Sequence, residues 1–162
     1  MDTLLVLQSK KVLKNLLIGT KPIIRFKSME TLTNKNVKLI VVHCSDTDKN
    51  MKAVDIHKMH LNFGWDGIGY HKVILHCGKI ENGRPDYWVG AHVKGKNKIS
   101  LGVCLIGKNN FTNKQFLSLE KVLRSWKKSY PKAKIIGHRD VGKTKKTCPN
   151  FDVISWCKER NI

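Results

Sequence analysis

The stretch "VKLIVVHCS", residues 37–45, frames the reading of the whole chain. It is β-branched and apolar and then turns polar, as a buried strand does where it ends. The segment after it, "DKNMKAVDIHKMHLNFGW" (48–65), changes period. Val54, Ile56, Met59, His60 and Phe63 recur at helical spacing, and Gly64 supplies a stop. A strand followed directly by an amphipathic helix points to an α/β arrangement.

Working outward, "YHKVILHCGKIENG" (70–83) reads as a hairpin with "CGK" at its turn, and "SLGVCLIG" (100–107) as a second buried strand. The clearest helix spans 113–130. Thr112 and Gln115 form a capping-box pair, Phe116, Leu119, Leu123, Trp126 and Tyr130 share one face, and Pro131 ends it. "AKIIGH" (133–138) gives a further strand and "FDVISWCKERN" (151–161) a short terminal helix. The expected fold is a single domain with a central mixed β-sheet flanked by helices and an active site at one sheet edge.

At 162 residues with 41% hydrophobic content, the chain is long enough to build a core without disulfide staples. Its five cysteines are odd in number and form no CxxC pair, so a disulfide framework is not expected. Cys44, Cys77 and Cys104 lie in apolar runs and read as small buried hydrophobes. The formal net charge is +19, from 31 Lys and Arg against 12 Asp and Glu, which suits an anionic partner such as a nucleic acid, a membrane surface or a cell-wall polymer. No arginine-rich arm, RRM signature or zinc-finger pair is present, so no dedicated nucleic-acid site is expected.

Residues 1–35 differ from the rest. They are basic, and their apolar runs are too short for a membrane span or a secretory signal, so they read as a weakly ordered or targeting extension ahead of a domain at 36–162. A soluble monomer without a transmembrane segment is expected, cytoplasmic before any release.

The chemistry concentrates at strand ends. His43 ends one apolar strand and His138 another, which lets two imidazoles converge, while Cys148 follows on a lysine-rich loop in "GHRDVGKTKKTCPNFD" (137–152). Two His and one thiolate suit a catalytic zinc with a fourth position left for water. His57 and His60, at i and i+3 on the first helix, are a competing pair. The spacing alone leaves the choice open.

Four blocks, "VHCSDT" (42–47), "GWDGIGYHKVI" (64–74), "VGAHVKGKNKISLGVCLIG" (89–107) and "GHRDV...KTCPNFD" (137–152), occur in the order seen in zinc-dependent N-acetylmuramoyl-L-alanine amidases. The chain resembles that family from about residue 36 to 158, above all the amidase-type lysozymes of the T-odd phages, with peptidoglycan recognition proteins as cousins. The resemblance implies that His43, His138 and Cys148 bind Zn2+. It also implies that Tyr70 and a lysine two residues before the Cys act in catalysis. The loop between His138 and Cys148 is two residues longer than the family pattern and carries Lys143, Lys145 and Lys146. Counting back from the Cys selects Lys146. His92 and Asn97 match a block that lines the family's substrate groove, and His71 falls on the side of the strand opposite Tyr70. The implied activity is hydrolysis of the amide between N-acetylmuramic acid and L-alanine in peptidoglycan or muropeptides. A receptor that binds without cutting, or a regulator of another protein, would use the same fold.

Overall fold

The computed structural model describes residues 30–142 and 144–162. A five-stranded sheet carries the fold: β1 (Leu39–Cys44), β2 (Lys72–Ile74), β3 (Ile80–Asn82), β4 (Ser100–Leu105) and β5 (Lys134–Gly137), in the order β3-β2-β4-β1-β5. β2, β4, β1 and β5 run parallel, and β3 pairs antiparallel with β2. The sheet is therefore mixed, as the alternation of strand and helix patterns implied. Three helices accompany it: α1 (Ala53–Asn62), α2 (Asn113–Ser129) and α3 (Val153–Glu159).

Strand alternation divides the core into two layers. Ile40, Val42, Leu101, Val103 and Leu105 pack with Leu119, Leu123 and Trp126 of α2 and Val153 and Trp156 of α3. On the other side Val73, Ile68 and Ile106 pack with Ala53 and Ile56 of α1. His43, Gly102 and Cys104 belong to this second side by alternation, so that face trades aliphatic bulk for small and polar groups.

The local signals held where they were self-contained. Thr112 Oγ1 accepts from Gln115 N at 3.1 Å while Gln115 Oε1 accepts from Thr112 N at 3.0 Å, closing the box at the start of α2. The fully buried Gln115 also donates to the Ile106 carbonyl at 2.8 Å, which ties the helix to the end of β4. Gly64, at φ +80°, follows the end of α1, where a side chain would meet the left-handed penalty. Two expectations fail. Cys77 is exposed, because it lies at the tip of the β2–β3 hairpin rather than in the strand before it. Phe63 falls one residue past α1 and is 60% exposed instead of completing its buried face.

Residues 1–29, most of the extension read from the sequence, lie outside the described residues. Glu30–Leu32 run against Tyr87–Val89: Leu32 N donates to the Tyr87 carbonyl at 2.7 Å and Val89 N to the Glu30 carbonyl at 2.8 Å. Leu32 thereby joins the α2 side of the core. Among the described residues no helix is long and apolar enough to cross a membrane.

Candidate active site

Parallel pairing brings the two strand-end histidines level. β1 and β5 are in register with Val42 opposite Gly137, so His43, the next residue of β1, and His138, the first residue past β5, come level at the C-terminal edge of the sheet. Their ring centroids are 4.6 Å apart. The loop from β5 then returns: Arg139 N donates to the Cys148 carbonyl at 2.8 Å, and Asn150 Nδ2 donates to the Lys108 carbonyl at 2.7 Å. These ties hold Cys148 over the end of β1. His43, His138 and Cys148 each offer one ligand atom, all within 4.8 Å of one another, and form the group among the described residues that could hold a metal ion.

Burial sets the protonation of this group. It pushes the His43 imidazole well below its usual range, with further lowering from His92 and His138. His138 is lowered to about 4 by burial and by the nearby Lys146 ammonium. Both rings are therefore neutral at physiological pH, with lone pairs free to ligate. The Cys148 thiol is pushed up, first by its hydrogen bond with the Cys44 thiol and then by burial. Opposing this, the Cys44 backbone N–H donates to Cys148 Sγ at 3.2 Å, a contact that favours the thiolate. Nitrogen and sulfur donors of this kind fit a borderline-soft cation such as zinc.

Two adjoining cavities open over the edge, one of about 850 Å³ and one of about 450 Å³. Trp65, Ala91, His92, His138 and Lys146 line both; of the potential ligands, His43 and Cys148 border the smaller cavity and His138 borders both. Tyr70 lines the smaller one, with its ring 5.1 Å from that of His43. Burial raises its phenol well above the ordinary value, which keeps the hydroxyl a donor. Lys145 reaches only the smaller cavity, whereas Lys146 borders both and lies close enough to lower the pKa of both His43 and His138.

His92 and Asn97 line the larger cavity, but much of their polar capacity is turned inward. Asn97 Oδ1 accepts from the backbone N–H of His92 and Val93 at 2.9 and 2.8 Å, and His92 Nδ1 meets His43 Nε2 at 3.0 Å. His57 and His60 do not converge on the donor group. Their Nδ1 atoms accept from Ile68 N and Gly69 N at 3.1 and 3.0 Å and so support the "GWDGIGYH" loop. His71 is fully buried between Gly102 N and the Trp88 carbonyl, at 2.9 Å from each. Sequence reading missed Cys44 as the neighbour of Cys148. Its place directly after His43 was the available signal.

Comparison with known proteins agrees with this geometry. Residues 33–151 match the family described as N-acetylmuramoyl-L-alanine amidase, and the chain belongs to that family. It is similar to the endolysin of Enterobacteria phage K11, 42% identical over 127 residues that cover 72% of this chain and 83% of the phage protein. It is also similar to the endolysin of Escherichia phage T7, 34% identical over 149 residues, 86% of this chain and 94% of its relative. Among solved structures, the endolysin N-acetylmuramoyl-L-alanine amidase LysCS from Clostridium intestinale superposes with a TM-score of 0.76. The two are 31% identical, over 88% of this chain and 93% of that one.

Proposed function

We propose that this chain is a zinc amidase that hydrolyses the amide bond between N-acetylmuramic acid and L-alanine in peptidoglycan. One observation carries the reading: in a chain of the amidase family, His43, His138 and Cys148 converge within 4.8 Å in the wall of one open cavity, and His138 also borders the larger cavity beside it. The similarity to phage endolysins supports the same substrate.

In this reading His43 and His138 ligate as neutral imidazoles and Cys148 as a thiolate. Zinc held by them supplies a Lewis acid for the scissile carbonyl and an activated water near neutral pH. Tyr70, kept protonated by burial, donates its hydroxyl hydrogen to the oxygen on which negative charge develops. The Lys146 ammonium, at the mouth of both cavities, balances the same charge. The larger cavity, with His92 and Asn97 in its wall, receives the glycan or stem peptide and holds the bond against the donor group. The protein acts as a monomer.

The deciding experiment combines zinc analysis of the purified protein with muropeptide release from isolated sacculi. The expected result is one zinc per chain and new amino-terminal L-alanine. Zinc without release would favour a binding protein on the same fold, and neither zinc nor release would overturn the proposal.

A further inference from the structure

We propose that His92 is a positioning residue that fixes the tautomer and orientation of His43, a role that rests on the reading of His43 as a metal ligand. The starting point is a chain of hydrogen bonds with a direction. Ser100 Oγ lies 2.8 Å from the Lys96 carbonyl, which can only accept, so the Ser100 hydroxyl spends its proton there. Its oxygen then faces His92 Nε2, at 3.4 Å, as an acceptor, and the Ser100 main chain draws on the same imidazole. Nε2 of His92 therefore carries the hydrogen, and Nδ1 is left with a lone pair.

That lone pair is 3.0 Å from His43 Nε2, in a buried contact between rings standing at 90°. A neutral imidazole with an acceptor before its Nε2 places its proton there. The unprotonated nitrogen of His43 is then Nδ1, the atom 4.0 Å from Cys148 Sγ on the side of the donor group. One polar relay, running from Lys96 through Ser100 and His92, thus leaves His43 with its lone pair aimed at the possible metal site.

The surroundings are built for a ring at this position. A Cβ on Gly102 would stand 2.7 Å from the His92 ring, and one on Gly90 would stand 2.5 Å from it. Both distances are incompatible with a side chain larger than hydrogen. His71 closes another side, its ring edge-on to His92 at 5.7 Å. His71 is itself immobilised, because Nδ1 accepts from Gly102 N and Nε2 donates to the Trp88 carbonyl. Asn97 holds the backbone of His92 through the two N–H groups named above. His92 is 9% exposed, so its place in the wall of the larger cavity is secondary to its contact with His43.

Partners that orient a ligating histidine are commonly worth about 10–100-fold in metal affinity. The test uses the full-length protein, with zinc affinity read by competition against a chromogenic chelator for wild type, His92→Leu and His92→Asn. The Asn Oδ1 stands where the His Nδ1 stood and can accept from His43, whereas Leu cannot. Melting temperatures of the zinc-free proteins control for folding. The His43 tautomer is read independently, from two-bond 15N–1H correlations of zinc-free wild type at neutral pH. We expect hydrogen on Nε2 of His43, a loss of about 10–100-fold in zinc affinity for His92→Leu, and recovery to within about threefold for His92→Asn. Hydrogen on Nδ1, unchanged affinity in His92→Leu, or equal losses in both folded variants would overturn the proposal. If His92→Leu does not fold, the tautomer and the His92→Asn affinity still decide. Wild-type protein that takes up no zinc would overturn the metal reading itself, an outcome separate from zinc uptake that is indifferent to His92.

Discussion

His60 should make this protein acid-sensitive by a calculable amount. The side chain is 4% exposed near the end of α1, and Nδ1 accepts the Gly69 N–H that holds the loop ahead of Tyr70. Burial, with smaller contributions from the Arg84 guanidinium and His57, lowers its pKa from 6.5 to about 4. The unfolded chain therefore binds a proton that the folded chain refuses between those values, so stability from this group is full above pH 6.5 and falls as pH drops toward 4. A displacement of about 2.5 in pKa corresponds to about 3.4 kcal/mol at the acid limit, and about 2.5 kcal/mol is already lost by pH 4.5. His60→Asn keeps an acceptor for Gly69 N without a titrating ring. Urea unfolding followed by tryptophan fluorescence at pH 7.5 and 4.5 should show wild type losing about 2–3 kcal/mol more than the variant. The other buried histidines are common to both proteins and cancel in the difference. Equal losses would refute the assignment of a depressed pKa to His60.

Cys148→Ser should lose zinc and activity together, because a neutral hydroxyl replaces a thiolate poorly; elemental analysis beside turnover checks both. Tyr70→Phe and Lys146→Ala should each retain zinc yet lose on the order of a hundredfold in turnover, while Lys145→Ala stays near wild type. Gln115→Leu should destabilise by about 2–4 kcal/mol in urea unfolding, since it removes the capping partner of Thr112 and strands the Ile106 carbonyl. With a charge of +19, raising salt from about 0.05 to 0.5 M should slow digestion of whole sacculi several-fold more than hydrolysis of a soluble muropeptide, as the Debye length shrinks from roughly 14 to 4 Å. Parallel losses on both substrates would remove wall attraction as the reason for the charge.

What could be read from the sequence was what short-range chemistry decides. The Thr112–Gln115 box, the Gly64 stop and the hairpin turn depend on neighbours within a few residues, and each is present. The convergence of His43 and His138 was legible because both end apolar strands, and parallel strands finish on the same edge. Pairs joined only by the tertiary fold were not legible. His92 reaches His43 across 49 residues, and nothing in "AHVKGKN" distinguishes a ring that faces substrate from one that faces a neighbour's imidazole. Cys77 and Phe63 failed for a different reason. Each sits just past the end of its apolar run, where the period still matches but the backbone has already turned away from the core.

The wide separation of the donors along the chain has a consequence for when the protein can act. Cys148 follows His43 by 105 residues, and β5, which carries His138 to the site, is the last strand made. At about 5–20 residues per second, a ribosome completes the first half of the centre roughly 5–20 seconds before the second. A nascent chain, or one cut short before residue 148, holds only part of the donor set, however much of the sheet has formed. Any activity that depends on the full donor set thus begins only once residue 148 has been made and has folded back over the end of β1.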